Sequence, residues 1–322
     1  MKKVVIRELG GPEVLAVEEA ELPVCPAGGL LVRVEACGVN FIDIYHRTGL
    51  YRNPLPYGMG LEGAGTIVEV GEGIDGFGAG DRVAWVRVSG SYAEYNVIPA
   101  EQAVKLPAGV ETTTAAAVML QGTTAHYLAR STYKLRQGDT CLIHAAAGGV
   151  GLLLCQVAHM AGARVIGTAS TPEKARLARE AGAGEVILYR EQDFESELKR
   201  LTGGRGVQVV YDSVGRDTYE KSLNCLAPRG MLVLYGQSSG VVPPIDPTVL
   251  SAKGSLFLTR PSLFHYMSTR EEFAGRAGDV LEWVASGALK VRIGATFPLA
   301  EAAQAHRALE ARQTSGKVLL IP

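Results

Sequence analysis

The sequence has almost no net charge: 32 Lys and Arg stand against 33 Asp and Glu, leaving −1 over 322 residues. That balance argues against an extended electrostatic footprint for nucleic acid or an anionic membrane. No apolar run reaches the roughly 20 residues that cross a bilayer. The opening "MKKVVIRELGGPEVL" turns polar after a short apolar run and reads as a first strand, not a signal peptide. A cytoplasmic home is expected. Cysteine is scarce and scattered: Cys25, Cys37, Cys141, Cys155 and Cys225 form no C-x-x-C pair, which fits reduced thiols acting as small apolar side chains. Internal repeats, low-complexity tracts and linkers are also missing. What remains is ordinary globular composition, enough for about two domains at roughly 150 residues each.

Up to about residue 125 the chain reads as short β segments. "LLVRVEACGVN" and "GAGTIVEVG" alternate, and "GDRVAWV" follows a Gly-Asp turn. After Gly122 the character changes. "TCLIHAAAGGVGLLLCQVAHMAG" is an apolar strand, a glycine turn and a helix. "RVIGTAS" is a second strand, and "TPEKARLAREAG" is a helix with Thr171 as N-cap and Pro172 at its first position. "EVILY", "VQVVYDSVG" and "GMLVLYG" follow as further strands. Continuously apolar strands alternating with helices indicate a parallel, doubly wound sheet. The tail holds two helical stretches and closes on the strand "GKVLLIP". A strand at each end predicts that both termini complete one β-rich domain, with the α/β unit inserted.

The turn "HAAAGGVG" carries the first chemistry. Residues without Cβ let backbone N–H groups approach a pyrophosphate at the positive end of a helix. Ala145 stands where the usual fingerprint opens on Gly, followed by Gly148 and Gly151. About 20 residues on, an NAD site places Asp or Glu for the ribose 2′-hydroxyl. Here that place holds Ser170, with Lys174 one helical turn further and Tyr189 and Arg190 at the end of the next strand. A carboxylate would repel a 2′-phosphate, whereas hydroxyl and ammonium attract it. NADPH is the expected cofactor.

The motifs "ACGVNFIDIYHRTGLY", "GLEGAGTIVEVG", "GDRVAW", "HAAAGGVG", "YDSVGRDTYEKSLNCL", "YGQSSG", "TRPSL" and "TSGKVLLIP" run in order along the chain. In this combination the chain resembles the medium-chain dehydrogenase/reductase superfamily, in its NADPH:quinone oxidoreductase (zeta-crystallin-like) branch. The resemblance implies a GroES-like catalytic domain from residues 1–124 and 262–322, and a Rossmann domain from 125–261. Zinc-dependent relatives carry Cys at the place of Asn40 and His at the place of Leu61, and they have a four-cysteine lobe that is absent here. Catalytic zinc needs about three converging ligands. No metal is expected, so the substrates should accept hydride without a Lewis acid: quinones, or alkenes conjugated to a carbonyl.

By the same resemblance, Asn40 and Tyr45 are the catalytic candidates at the nicotinamide end, Tyr45 orienting a substrate oxygen. Asp43 serves the pocket or caps a helix. Thr124 contacts the nicotinamide amide. Gly148, Gly149, Val150 and Gly151 cradle the pyrophosphate; Ser170, Lys174 and Tyr189, with Arg312 from the tail, hold the 2′-phosphate. Val214 lies at a strand's carboxyl end, and Gly236, Gln237, Ser238 and Ser239 close over the nicotinamide. Arg260 and Pro261 belong to the same set. His126 and His144 read as structural, and Lys317, in the family's "GK", as structural or functional. The leading function is quinone reduction. The alternatives are reduction of α,β-unsaturated aldehydes or ketones, in which Tyr45 could donate a proton, and a redox-sensing or nucleic-acid-binding protein that holds NADPH as ligand. The apolar strand "GSLFLTR" suggests a homodimer paired through a sheet edge.

Overall fold

A computed structural model describes residues 1–322. In chain order, the first elements are β1 (Lys2–Ile6), β2 (Ala16–Glu19), β3 (Gly29–Val39), α1 (Phe41–Arg47), β4 (Tyr57–Gly58), β5 (Glu62–Val70), β6 (Arg82–Val86), β7 (Tyr95–Pro99), β8 (Ala103–Lys105) and α2 (Thr112–Tyr127). There follow β9 (Thr140–Ile143), α3 (Gly149–Met160), β10 (Arg164–Ala169), α4 (Pro172–Glu180), β11 (Glu185–Leu188), α5 (Phe194–Thr202), β12 (Val207–Asp212), α6 (Tyr219–Asn224), β13 (Leu226–Leu234), α7 (Thr248–Ala252), β14 (Phe257–Thr259) and α8 (Leu263–Tyr266). The chain ends with α9 (Arg270–Ala285), β15 (Ile293–Pro298), α10 (Ala302–Glu310) and β16 (Lys317–Ile321). It divides into two units, Met1–Thr123 with Met267–Pro322, and Thr124–Tyr266. No helix is long and apolar enough to cross a membrane.

The first unit is β-rich. Its larger sheet runs β15-β16-β3-β5-β6-β8, with β7 also on β3, and a small sheet runs β2-β1-β4. β3 pairs with β16, β5 and β7, and nearly all of its residues are buried. Its sequence alternation therefore does not divide core from solvent, because both faces are covered. Val32, Val34, Cys37, Ile67, Val83, Trp85, Ile98 and Leu320 belong to one apolar cluster. Trp85 satisfies its indole N–H on Ser91 Oγ at 2.9 Å. The segment before residue 125 also contains a 16-residue helix, α2, which the β reading of that half does not anticipate. Its run "TTTAAAVML" is buried almost all round, so it shows no polar stripe at helical spacing.

The second unit is a six-stranded parallel sheet in the order β11-β10-β9-β12-β13-β14. This is the doubly wound order, and its direction reverses between β9 and β12. Local chemistry sets the crossovers. Thr171 caps α4, accepting the Lys174 N–H at 3.3 Å, and Pro172 takes the first helical position. Asp193 caps α5 through Ser196 N–H at 2.9 Å, and the helix stops at Gly203 with φ +59°. Strands this apolar must be covered on both faces, and Leu142, Ile166, Val210 and Leu232 are wholly buried.

In the first unit, α1 is tied to α10 by a buried polar cluster. Arg47 bonds Glu310 twice, at 2.6 and 3.2 Å, and also Gly10 O and His306 Nδ1, each at 3.1 Å. His306 Nε2 lies 3.3 Å from the Tyr92 hydroxyl, which donates to Asp43 Oδ2 at 2.9 Å. Burial, and then the Arg47 guanidinium, pushes the His306 imidazole down to about 3. Burial raises the Asp43 carboxyl to about 7, against the pull of hydrogen bonds from Asn40 and Tyr92. The two groups have opposite pH signs. His306 contributes stability above its unfolded pKa of about 6.5, and loses it as pH falls toward 3. Asp43 contributes below about 4 and loses it as pH rises through 7. Replacing His306 with Gln should remove the acid-side loss. Between pH 6.5 and 4.5 the wild type should lose up to about 1.4 kcal/mol per pH unit more than His306→Gln. Urea denaturation across that range measures the difference, and parallel curves would contradict it.

Candidate functional site

The carboxyl ends of β9, β10, β12 and β13 converge on the switch point of the parallel sheet, where open α/β sheets bind ligands. The turn after β9 is held by main-chain bonds: His144 N–H to Tyr211 O at 3.0 Å, Ala146 N–H to Thr168 O at 3.0 Å, and Gly148 N–H to Ala145 O at 2.8 Å. Ala145, at the place of the fingerprint's first Gly, takes φ +49°. An alanine tolerates that conformation at a cost of about 1–2 kcal/mol, so the turn keeps the glycine geometry without the glycine. A Cβ on Gly151 would lie 2.3 Å from Ala145 O, so α3 can pack onto the turn only without one. No side chain caps α3 at Gly148. Gly149, Val150 and Gly151 thus present N–H groups at the positive end of a 12-residue helix, a donor set suited to a phosphate anion.

Ser170 and Lys174 follow β10, and Tyr189 follows β11, whose Leu188 pairs with Ala169. Ser170 and Lys174 are half-buried and Tyr189 is 40% exposed. No carboxylate stands at Ser170. Across the switch, Asp212 Oδ1 accepts the N–H groups of Val214 and Gly215 at 2.8 and 3.0 Å, shaping that loop. Val214 O in turn accepts Ser239 N–H at 2.9 Å and the Ser239 hydroxyl at 2.7 Å, and Ser238 N–H reaches Ser213 O at 3.1 Å. The stretch Gly236–Ser239 is therefore laced to the loop after β12. Arg260, after β14 and before Pro261, donates to Leu234 O at 2.7 Å. Thr124 is buried on α2.

Asn40, Tyr45 and Arg312 belong to the first unit. Arg312 is exposed just past α10, with φ +57°. Tyr45 lies on α1, half-buried, its ring 5.4 Å from that of Tyr51 and 6.3 Å from that of Phe41. Asp43 takes the capping role: its carboxylate accepts Asn40 N–H at 2.8 Å. The Asn40 side chain points elsewhere. Its Oδ1 accepts Lys317 Nζ at 2.8 Å and Gln121 Nε2 at 3.2 Å; its Nδ2 donates to Glu62 Oε1 at 2.6 Å and more weakly to Gly38 O at 3.4 Å. Lys317 also pairs with Glu62, whose other oxygen accepts Leu120 N–H at 2.6 Å. Both side chains are essentially inaccessible. A Cβ on Gly38 would sit 2.2 Å from Glu62 Oε1.

The sequence singles out Asn40 and Lys317 separately, but not their meeting with Glu62 and Gln121. A signal was present: a lone Lys in "GKVLL" and a lone Glu in "GLEGAG" are single charges in apolar strands, and such charges are buried only when paired. Replacing Lys317 with Met should cost about 3–5 kcal/mol, because it leaves Glu62 buried and unpaired. The double change Glu62→Gln with Lys317→Met should recover most of that loss. Chemical denaturation of these two variants and of Glu62→Gln alone checks the cycle, and additive losses would refute it.

Residues 26–108 match the family described as alcohol dehydrogenase GroES-like domain, and residues 149–283 match the zinc-binding dehydrogenase family. Quinone oxidoreductase 1 of Escherichia coli strain K12 is 48% identical over 318 residues, covering 97% of each chain. A 2-haloacrylate reductase from Burkholderia sp. is 44% identical over 327 residues, covering 99% of this chain and 98% of the relative. The crystal structure of Escherichia coli quinone oxidoreductase complexed with NADPH superposes with a TM-score of 0.97 at 46% identity, covering 100% of both chains. With relatives this similar over the whole length, and with the GroES-like and parallel-sheet units both in place, the chain belongs to the quinone oxidoreductase family of medium-chain dehydrogenases/reductases.

Proposed function

We propose that the chain reduces quinones with NADPH, without a catalytic metal. The single observation that carries the reading is the glycine turn at the switch point, with Ser170 and Lys174 where an NAD site would hold an acid. The residues fit the cofactor. The space beside Gly151 is closed to any Cβ, the α3 N-terminus offers uncapped N–H donors, and a hydroxyl and an ammonium suit a 2′-phosphate. Bound NADPH would supply the hydride. The glycine turn fixes the pyrophosphate, Ser170, Lys174 and Tyr189 hold the adenosine end, and Arg312 joins them. Val214, Gly236, Gln237, Ser238 and Ser239 shape the nicotinamide end, with Thr124 on its amide and Arg260 and Pro261 as support. Tyr45 orients the carbonyl oxygen of the acceptor. Asn40, its amide committed to Lys317, Glu62 and Gln121, acts by seating the start of α1 and with it Tyr45.

Metal independence follows from the donor chemistry. Asn40 and Leu61 stand where zinc-dependent relatives carry ligands, and the cation beside Asn40 is the Lys317 ammonium. An acceptor must then take hydride without a Lewis acid, as quinones do. A second reading, reduction of an alkene conjugated to a carbonyl, is favoured by the likeness to 2-haloacrylate reductase and would make Tyr45 a proton donor. We place the protein in the cytoplasm, on its free cysteines, and read it as a homodimer joined along β14, the sheet-edge strand whose Phe257 is 56% exposed. Sedimentation of a monomer would remove the dimer.

Steady-state consumption of NADPH and NADH, with 1,4-benzoquinone or a 2-alkenal as acceptor, tests the activity. NADPH with the quinone should give the highest kcat/KM. In Lys174→Ala the NADPH KM should rise about tenfold, or 1.4 kcal/mol, with NADH little changed. Equal loss for both cofactors would overturn the 2′-phosphate assignment, and a strong preference for the alkenal would overturn the substrate class.

A further inference from the structure

Beneath the glycine turn runs a buried hydrogen-bonded chain to which the proposed reaction assigns no task. His144 Nδ1 lies 3.1 Å from Thr168 Oγ1, and His144 Nε2 lies 3.0 Å from Ser222 Oγ. Ser222 donates to Asp212 Oδ2 at 3.0 Å, where the Thr218 hydroxyl also donates at 2.7 Å. The Phe194 ring stands edge-on to the imidazole at 4.8 Å, and His144, Thr168, Asp212 and Ser222 are all buried.

The proton order follows from the donor inventory. The Asp212 carboxylate accepts from Val214, Gly215, Thr218 and Ser222, so the Ser222 proton is committed to it. Ser222 Oγ must then accept from His144, which puts the ring proton on Nε2 and makes Nδ1 the acceptor for Thr168. Burial pushes the imidazole below its ordinary value, against the pull of Asp212, in keeping with this neutral tautomer.

Three members touch a cofactor loop, and Ser222 on α6 joins them. His144 directly precedes Ala145, and Thr168 O holds the Ala146 N–H. Asp212 shapes the Val214–Gly215 loop, to which Ser239 is bonded. One chain of hydrogen bonds therefore spans the switch point, from the turn after β9 to the loops after β12 and β13. We infer that His144 is a positioning residue for the dinucleotide, a clamp that sets the pyrophosphate turn at a fixed distance from the loops on the other side of the switch. This rests on the dinucleotide reading of the site.

The experiment uses the full chain and three variants: Ser222→Ala, His144→Ala and His144→Gln. NADPH and NADH are titrated by cofactor fluorescence. Thermal midpoints are measured without cofactor, and kcat is measured at saturating NADPH with 1,4-benzoquinone. Ser222→Ala and His144→Ala should raise both dissociation constants by the same factor, about tenfold, while kcat falls far less. His144→Gln, able to accept at one end and donate at the other, should recover most of the affinity. If His144→Ala does not fold, Ser222→Ala decides. Folded variants with lower thermal midpoints but unaltered dissociation constants would overturn the clamp, as would a loss confined to NADPH. A wild-type chain that binds neither dinucleotide would overturn the cofactor reading, and the clamp with it.

Discussion

In the β-rich unit, the buried pairing of Lys317 with Glu62 constrains everything around it. Neither charge reaches solvent, and burying such a pair is costly unless its remaining donors and acceptors are met. They are met by Asn40 and by Leu120 N–H, and Asn40 is in turn met by Gln121. The consequence is geometric. β3, β5, β16, α2 and the start of α1 are joined at one point, and a glycine at position 38 is required to leave room for it. α1 carries Tyr45, so the side chain proposed to face the acceptor is aimed by a cluster that need not touch it. Where zinc-dependent relatives would gather ligands, this chain has an amide saturated by protein partners and an ammonium already in place.

The α/β unit solves a different problem with similar means. Parallel strands end in loops with few constraints of their own, yet a dinucleotide must meet several of them at once. Main-chain bonds fix the turn after β9, Asp212 organises the loop after β12, and Ser239 fastens the loop after β13 to it. The His144–Ser222–Asp212 chain then links these local solutions. Preorganisation of this kind lowers the ordering cost of binding without adding any contact to the ligand.

Much of this is legible in the sequence itself. The apolar strands, the capped helix at Thr171 and the glycine turn state the α/β unit directly, because each is a local signal. Ser170 and Lys174 name the expected cofactor by charge alone. Two kinds of feature were not legible. α2 is buried nearly all round, so its period leaves no trace in a hydrophobic pattern. The polar clusters join residues as far apart as Asn40 and Lys317, or His144 and Ser222, and such pairings depend on tertiary register. Asn40 illustrates the difference. The family pattern offers it as a contact residue, whereas its geometry commits the amide to the protein.

In the proposed reaction the chain performs hydride chemistry without a metal, on a cofactor chosen by its 2′-phosphate. The most direct test measures NADPH oxidation by 1,4-benzoquinone before and after exhaustive chelation, with the metal content of the protein determined in parallel. The account predicts rates within about twofold of each other and no stoichiometric zinc. Activity that disappears on chelation and returns with added zinc would contradict it.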